Sequence, residues 1–407
     1  MLLAIVVALF ALDAQAQLIR ENRKLFAIGS YELPKDDAEL RRMAGSGFNL
    51  VRCGSRADLE RVAQAGMQGW MVLPMTASAD QVRQKIRETV DHPALAVWEG
   101  PDEMIWNFTA FSGLYPKVHK ERGEWNLQTP NALAYATNEG SKVLAAFRES
   151  AKALREMDPK KRPLWMNEAA ETDMKYIRET LTDVQITGCD LYPIRSTGSE
   201  PASIGDITRR YMKIGKGRPV WMVLQGFSWH VFPERKRTEL YPTFDETRMM
   251  AWDAIVNGAQ GILYWGSFFV PAEGAAFRQS LHAMAAELAP LHAFLTAVET
   301  VRPTVELIES NGRSQPGDRG VRAWLRRAGS DWLLALVNED SRAHTGVEIT
   351  GLGVLNGRRM ELLYGEDSET VRDGSMVARM RPLEVKLYGT SRRLETSKRE
   401  GREFGKR

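Results

Sequence analysis

Eight short apolar runs, lying between Leu25 and Gly266 and separated by stretches of helical periodicity, constrain this chain most. They are LFAIGSY (25–31), FNLVRC (48–53), GWMVLPM (69–75), ALAVWEG (94–100), PLWMNEA (163–169), VQITGCDLYP (184–193), PVWMVLQG (219–226) and GILYWGS (261–267). A parallel strand covered on both faces carries apolar side chains throughout, and these runs have that character. Between them, Ser78 with Gln81 and Thr243 with Glu246 have the spacing of capping boxes. Val82, Ile86 and Val90 then recur at four-residue steps, and the longest helical stretch spans about residues 130–157. Strand–helix units repeated eight times predict an α/β chain closed as a (β/α)8 TIM barrel. A doubly wound sheet is the alternative, but it ordinarily has fewer strands and a glycine-rich first turn. No GxGxxG or P-loop is present.

Past Pro290 the pattern changes. VRAWLRR (321–327), WLLALVNE (332–339), TGVEITGL (345–352), RMELLYG (359–365) and LEVKLYG (383–389) are short, with Gly and Asp turns between them. They predict a C-terminal all-β sandwich. The expected organisation is a barrel over 17–300, a sandwich over 301–390 and a tail over 391–407. The tail holds seven basic and three acidic residues and almost no apolar ones, so it is expected to be disordered. It also accounts for the formal net charge of +3, and the basic balance gives no reason to expect a nucleic-acid partner. At the other end, Leu2 to Leu12 is an unbroken apolar run followed by Ala14-Gln15-Ala16. That predicts a signal peptide over 1–16 and a secreted or periplasmic protein, although no basic residue precedes the run. The run is too short to span a bilayer, and no other segment approaches a span.

In such a barrel the functional residues stand at the C-terminal ends of the strands. Here those ends supply Tyr31, Arg52, Glu99, Asp102 and Glu103, then Glu168, Asp190, Tyr192, Gln225, His230 and Trp265. Carboxylates, an arginine and aromatic rings on one rim suit a carbohydrate: carboxyls move protons and rings cover apolar sugar faces. Six scattered histidines, with neither HxH nor HExxH, suggest no metal, and no cofactor motif is present. The absence of GxSxG argues against a serine-hydrolase elbow.

HPALAVWEGPDE (92–103) resembles strand four of the large clan of retaining glycoside hydrolases built on (β/α)8 barrels, clan A. There a His-Pro precedes the strand, and Trp, three residues, an Asn and the acid Glu follow. Asp102 holds the Asn position and Glu103 the Glu position. Arg52, Asp190-Leu191-Tyr192-Pro193 and Tyr264-Trp265 are similar to that clan's strands two, six and eight. The resemblance implies glycosidic hydrolysis with Glu103 as general acid and Asp102, Asp190 or Glu168 assisting. It implies substrate contacts from Arg52, Gln225, Tyr192, Trp265, Tyr31, His230 and Glu99. One departure matters: the clan's nucleophile is a Glu at the end of strand seven, where this chain has Gln225. An amide cannot serve as an anionic nucleophile. Three readings follow. Water attacks and the product inverts, a 2-acetamido group assists beside an Asp-Glu pair as in some hexosaminidases, or the barrel binds carbohydrate without cleaving it. Glu103 and Glu168 each have a plain alternative as helix-end or strand-end carboxylates, Glu99 as a buried partner of Arg52, and Gln225 as a structural amide.

Overall fold

The computed structural model describes residues 18–20, 23–112, 123–271, 274–311, 320–396 and 400–405. The expected leader over 1–16 lies outside them. After a short antiparallel pair, β1 (Leu18–Arg20) and β2 (Arg23–Leu25), eight parallel strands follow. They are β3 (Ala27–Ser30), β4 (Leu50–Cys53), β5 (Gln68–Val72), β6 (Leu95–Glu99), β7 (Leu164–Ala169), β8 (Ile186–Asp190), β9 (Val220–Gln225) and β10 (Gly261–Trp265). They close in the order β10-β3-β4-β5-β6-β7-β8-β9, one strand from each apolar run. Both capping boxes form, opening helices Ala79–Thr89 and Phe244–Val256. Pro130–Met157 is a single helix.

The barrel interior is filled, not hollow. Trp70, Trp165 and Trp221 pack there with Leu50, Val97 and Leu263. The packing leaves no room for a side chain at two positions beside Trp221. A Cβ on Gly188 would lie 2.1 Å from the Trp221 carbonyl oxygen, and one on Gly261 2.5 Å from the Trp221 ring. This floor closes the barrel axis, so a site on that axis opens only at the C-terminal mouth. Cys53 and Cys189 are buried and unpaired. No helix among the described residues is long and apolar enough to cross a membrane.

The C-terminal strands are β11 (Thr304–Ser310), β12 (Val321–Ala328), β13 (Asp331–Asn338), β14 (Thr345–Thr350), β15 (Arg359–Leu362), β16 (Ser368–Thr370), β17 (Met376–Met380) and β18 (Val385–Gly389). They make a three-stranded sheet, β11-β14-β17, and a five-stranded one, β12-β13-β18-β15-β16. Leu325, Leu334 and Leu336 of one sheet share a core with Val347, Ile349 and Ala378 of the other, which defines a sandwich. β13 reads as a continuous apolar run because its second face is covered too. Leu333, Ala335 and Val337 pack into the barrel's own core cluster.

Charges are buried where the two parts meet. Glu339 pairs with Arg209 at 2.6 Å and Arg322 at 3.0 Å, and accepts from Asn257 Nδ2 at 3.1 Å. It is also hydrogen-bonded to Asp253. Burial first, then the Glu339 charge, hold Asp253 well above the usual carboxylate range. A raised folded-state pKa stabilises the protein below the unfolded value, and that contribution is lost as pH rises through the folded value. Asp253→Asn keeps a neutral group there. Its thermal midpoint is expected to fall less than that of the unmodified protein as pH rises from the ordinary aspartate value of about 4, and parallel curves would reject a raised Asp253.

The expectation of a disordered tail over 391–407 is corrected by its described residues. Arg402 is buried, with its guanidinium 3.8 Å from the centre of the Tyr364 ring and 4.7 Å from that of Phe244. It pairs with buried Glu287 at 2.5 Å, and the Phe244 N–H donates to the Phe404 carbonyl at 2.9 Å. Low apolar content misleads here because a cation packed on aromatic faces substitutes for an apolar anchor.

Candidate active site

Alternation along each strand decides which end residues face the mouth. Val97, Trp165, Ile186, Val223 and Leu263 all point inward. Stepping by two from them puts Glu99, Asn167, Asp190, Gln225 and Trp265 on the inward side, with Arg52 above Leu50 and Tyr31 above Ala27. One layer of the mouth therefore collects seven residues from seven strands. Sequence reasoning reached six of them and missed Asn167 in favour of its neighbour Glu168.

Glu103 stands just past β6, at the start of the helix Met104–Phe108, in the left-handed region at φ 49° and ψ 36°. For a residue with a Cβ that conformation costs about 1–2 kcal/mol. It is fixed from both sides. Its N–H donates to the Asn167 carbonyl at 3.1 Å, and its carbonyl accepts from Asn107 Nδ2 at 2.8 Å. Its side chain makes no capping hydrogen bond. Glu168 performs that role from β7, accepting from the N–H groups of Ile105 at 2.9 Å and Trp106 at 3.1 Å and from the Thr172 hydroxyl at 3.1 Å. The Glu103 carboxyl is thereby left for another partner, Asp190 of β8, to which it is hydrogen-bonded.

Burial first, then the Asp102 charge, raise Glu103 to about 7, against the pull of its hydrogen bond with Asp190. Burial, followed by the Glu103 and Asp102 charges, holds Asp190 well above the usual range. Two carboxyls in contact cannot both ionise readily, so the pair retains a proton near neutral pH and titrates as a unit. An inverting site needs its acid and base about 6.5–9.5 Å apart, so this contact corrects the expectation that Asp190 assists as the base of an inverting attack by water. Asp102 is exposed and accepts from Asn167 Nδ2 at 3.0 Å. Arg52 Nε donates to Glu99 Oε2 at 2.9 Å, and so does Trp70 Nε1 at 2.9 Å. Burial lifts Glu99 to about 7 despite Arg52. Arg52 also lies 5.0 Å from the centre of the Tyr31 ring. The Tyr31 hydroxyl, Glu99 Oε1 and Asn167 Oδ1 are buried without a hydrogen-bond partner.

The opposite wall is aromatic. The Tyr192 hydroxyl donates to Asp190 Oδ2 at 3.1 Å, and its ring stacks on Trp265 at 5.2 Å and 24°. Phe232 lies parallel to Trp265 on the same wall, at 6.3 Å and 6°.

Three expected site residues have other roles. Glu168 is a buried helix cap outside the barrel wall, because the strand alternation turns it away from Asn167. Burial pushes it to about 8 while its three donors pull the other way. Glu168→Ala is expected to cost about 1–3 kcal/mol in urea unfolding, the cost of orphaning those donors, and to leave the pH profile of any activity in place. Gln225 is fully buried with its amide consumed by backbone. Oε1 accepts from the Ile194 N–H at 2.9 Å, and Nε2 donates to the carbonyls of Ile194 at 2.9 Å and Phe227 at 3.0 Å. It splints the β8 loop and has no donor left for a substrate. His230 packs edge-on against Tyr241 at 5.8 Å instead of joining the carboxyl pair. Among the described residues no three His, Cys, Asp or Glu side chains gather as metal ligands.

The fold matches solved barrels. A glycoside hydrolase superposes with a TM-score of 0.58 at 12% identity, the match covering 92% of this chain and 97% of that one. A glycoside hydrolase family 5 protein from Bacteroides vulgatus gives 0.57 at 12% identity, covering 96% of each chain. Beta-galactosidase from the psychrophilic Marinomonas ef1 matches over 65% of this chain at 13% identity and a TM-score of 0.46; this chain spans 60% of that enzyme's length. At these identities the likeness of the first two shows the fold alone, a (β/α)8 barrel followed by β-sheets. No protein-family model matches the sequence, and no curated protein does.

Proposed function

We propose that the protein hydrolyses a glycosidic bond, with the Glu103–Asp190 pair as its acid and water as its nucleophile. The observation that carries this reading is the hydrogen-bonded pair itself, held at the barrel mouth beneath the stacked Tyr192–Trp265 wall. Glu103 donates the pair's proton to the leaving oxygen as the C–O bond breaks. Water bonds to the anomeric carbon and loses its proton to solvent, from which the pair is reprotonated, so charge and atoms balance over the cycle. Asp190 is the positioning residue: its hydrogen bond holds the Glu103 carboxyl in place, while burial and the Asp102 charge keep Glu103 protonated near neutral pH. The unpartnered Tyr31 hydroxyl, Glu99 Oε1 and Asn167 Oδ1 offer the mix of donor and acceptors that sugar hydroxyls match.

Gln225 decides what the mechanism excludes. Its amide is locked to backbone, so no protein nucleophile is expected at the end of β9. Incubation with 2-deoxy-2-fluoroglycosides should leave the intact mass unchanged, and proton NMR of a turned-over substrate should show hydrolysis products. A stable glycosyl adduct would falsify the water scheme. The same locked amide favours a second reading, a carbohydrate-binding barrel without turnover. Binding across a broad glycan panel with no product by mass would establish that reading instead.

A further inference from the structure

The loops after β8 and β9 carry cations that the acid–water scheme does not use. Arg195 follows β8, and Arg235, Lys236 and Arg237 follow β9 on the same rim. The guanidinium carbons of Arg195 and Arg235 lie 5.1 and 5.2 Å from the centre of the Trp229 ring. Trp229 is itself held. Its Nε1–H donates to the Tyr192 carbonyl at 3.1 Å, and its ring meets that of Tyr192 edge-on at 6.3 Å. Since Tyr192 binds Asp190, a continuous chain of contacts runs from the cations to the carboxyl pair.

These cations differ from others in the chain in forming no ion pairs among the described residues. Arg162, Arg209, Arg248 and Arg402 all sit in short ion pairs with buried carboxylates. Among the described residues none of Arg195, Arg235, Lys236 and Arg237 forms an ion pair, although Glu234 and Glu239 share their loop. At Arg195, burial and then the Arg237 and Arg235 charges lower the pKa, and Glu171 opposes them more weakly. Like charge dominates the field there. A guanidinium without a carboxylate partner, oriented on an aromatic face, presents paired N–H donors that fit a planar or tetrahedral oxyanion.

We propose that this side of the cleft is an anionic-sugar subsite. Arg195 and Arg235, oriented on Trp229, bind the carboxylate or sulfate of an acidic glycan whose neighbouring unit lies at the Glu103–Asp190 pair. The proposal rests on the carbohydrate reading and names its substrate class. The proton retained by the pair fits it, because it limits repulsion between the pair and an acidic chain.

Titration of the full chain with polygalacturonate and with dextran sulfate, beside methyl-esterified polygalacturonate and plain dextran, tests it. Binding is expected to one charged polymer, weakening with salt and absent from its neutral counterpart. The polymer that binds tells carboxylate from sulfate. Arg195→Gln and Arg235→Gln are each expected to weaken binding about tenfold, the loss of one charge-assisted contact. Both side chains are exposed, so unchanged melting would show that the fold is kept. Equal binding of charged and neutral polymers, or undiminished binding in both variants, overturns the subsite. So does tighter binding of a single-stranded oligonucleotide that the same variants abolish. An acidic polymer bound but never cleaved supports the subsite and removes the enzymatic reading. Cleavage of neutral glycans, indifferent to both arginines, keeps the enzymatic reading and overturns the subsite.

Discussion

Glu103→Gln is expected to lower kcat by about 10²–10⁴-fold on whichever glycoside the protein cleaves, with KM little changed. The amide fits the same space but has no proton of carboxylic acidity to give to the leaving oxygen. The melting temperature should hold, because the Glu103 side chain caps nothing and Glu168 supports the helix start. A second readout separates chemistry from damage. A general acid works only while protonated, so kcat should fall as pH rises through about 7, the value to which burial and Asp102 raise Glu103. Asp102→Asn removes one of the charges that raise it, and the alkaline limb should move to lower pH without loss of the plateau. Asp190→Asn removes the carboxylate whose hydrogen bond pulls Glu103 down, so there the limb should move to higher pH. Full activity in Glu103→Gln ends the assignment, and a limb that stays put in both aspartate variants shows that Glu103 is not the titrating acid.

The barrel was legible because burial on both faces forces apolar runs, and each run became one strand. Helix starts were legible where a capping box writes a side chain into the sequence, as at Ser78 and Thr243. The site was legible only down to strand ends. Trp165 and Met166 are both apolar and both buried, so nothing in PLWMNEA says which faces the axis, and Asn167 lost to Glu168 on chemistry alone. The departure at Gln225 was visible, but its consequence was not. The groups that lock it belong to the backbone of Ile194 and Phe227, and backbone hydrogen bonds carry no side-chain signature. The choice left open for Glu99, between substrate contact and partner of Arg52, needed the distance between strands β4 and β6. The tail failed for a related reason: charge composition reports solubility, and Arg402 is buried against rings and a carboxylate drawn from three distant segments.

Glu287→Ala is expected to destabilise the protein by about 3–5 kcal/mol in urea unfolding, more than any other single change considered for stability. Glu287 is fully buried in the helix Ala275–Leu288. It accepts from Arg248 Nε at 2.7 and 3.0 Å and from Trp252 Nε1 at 2.8 Å, and it pairs with Arg402 of the tail. Removing it leaves two guanidinium groups largely buried without a counter-charge, and that loss is the origin of the large effect. The pH dependence has a definite sign. Burial alone would raise Glu287, but Arg248 and Arg402 together hold it below the usual range. A depressed folded-state pKa gives stability above the unfolded value that is lost as pH falls through the folded one, so this cluster weakens in acid. Arg402→Ala should cost less than Glu287→Ala, because Arg248 still neutralises the carboxylate. It should also release the described tail residues, so that limited trypsin digestion cuts after Arg392 or Arg393 faster than in the unmodified protein. Equal cutting would mean that the Phe404 backbone contact and the Gly401 turn, where a Cβ would lie 2.2 Å from the Gln279 carbonyl oxygen, hold the strap without the ion pair.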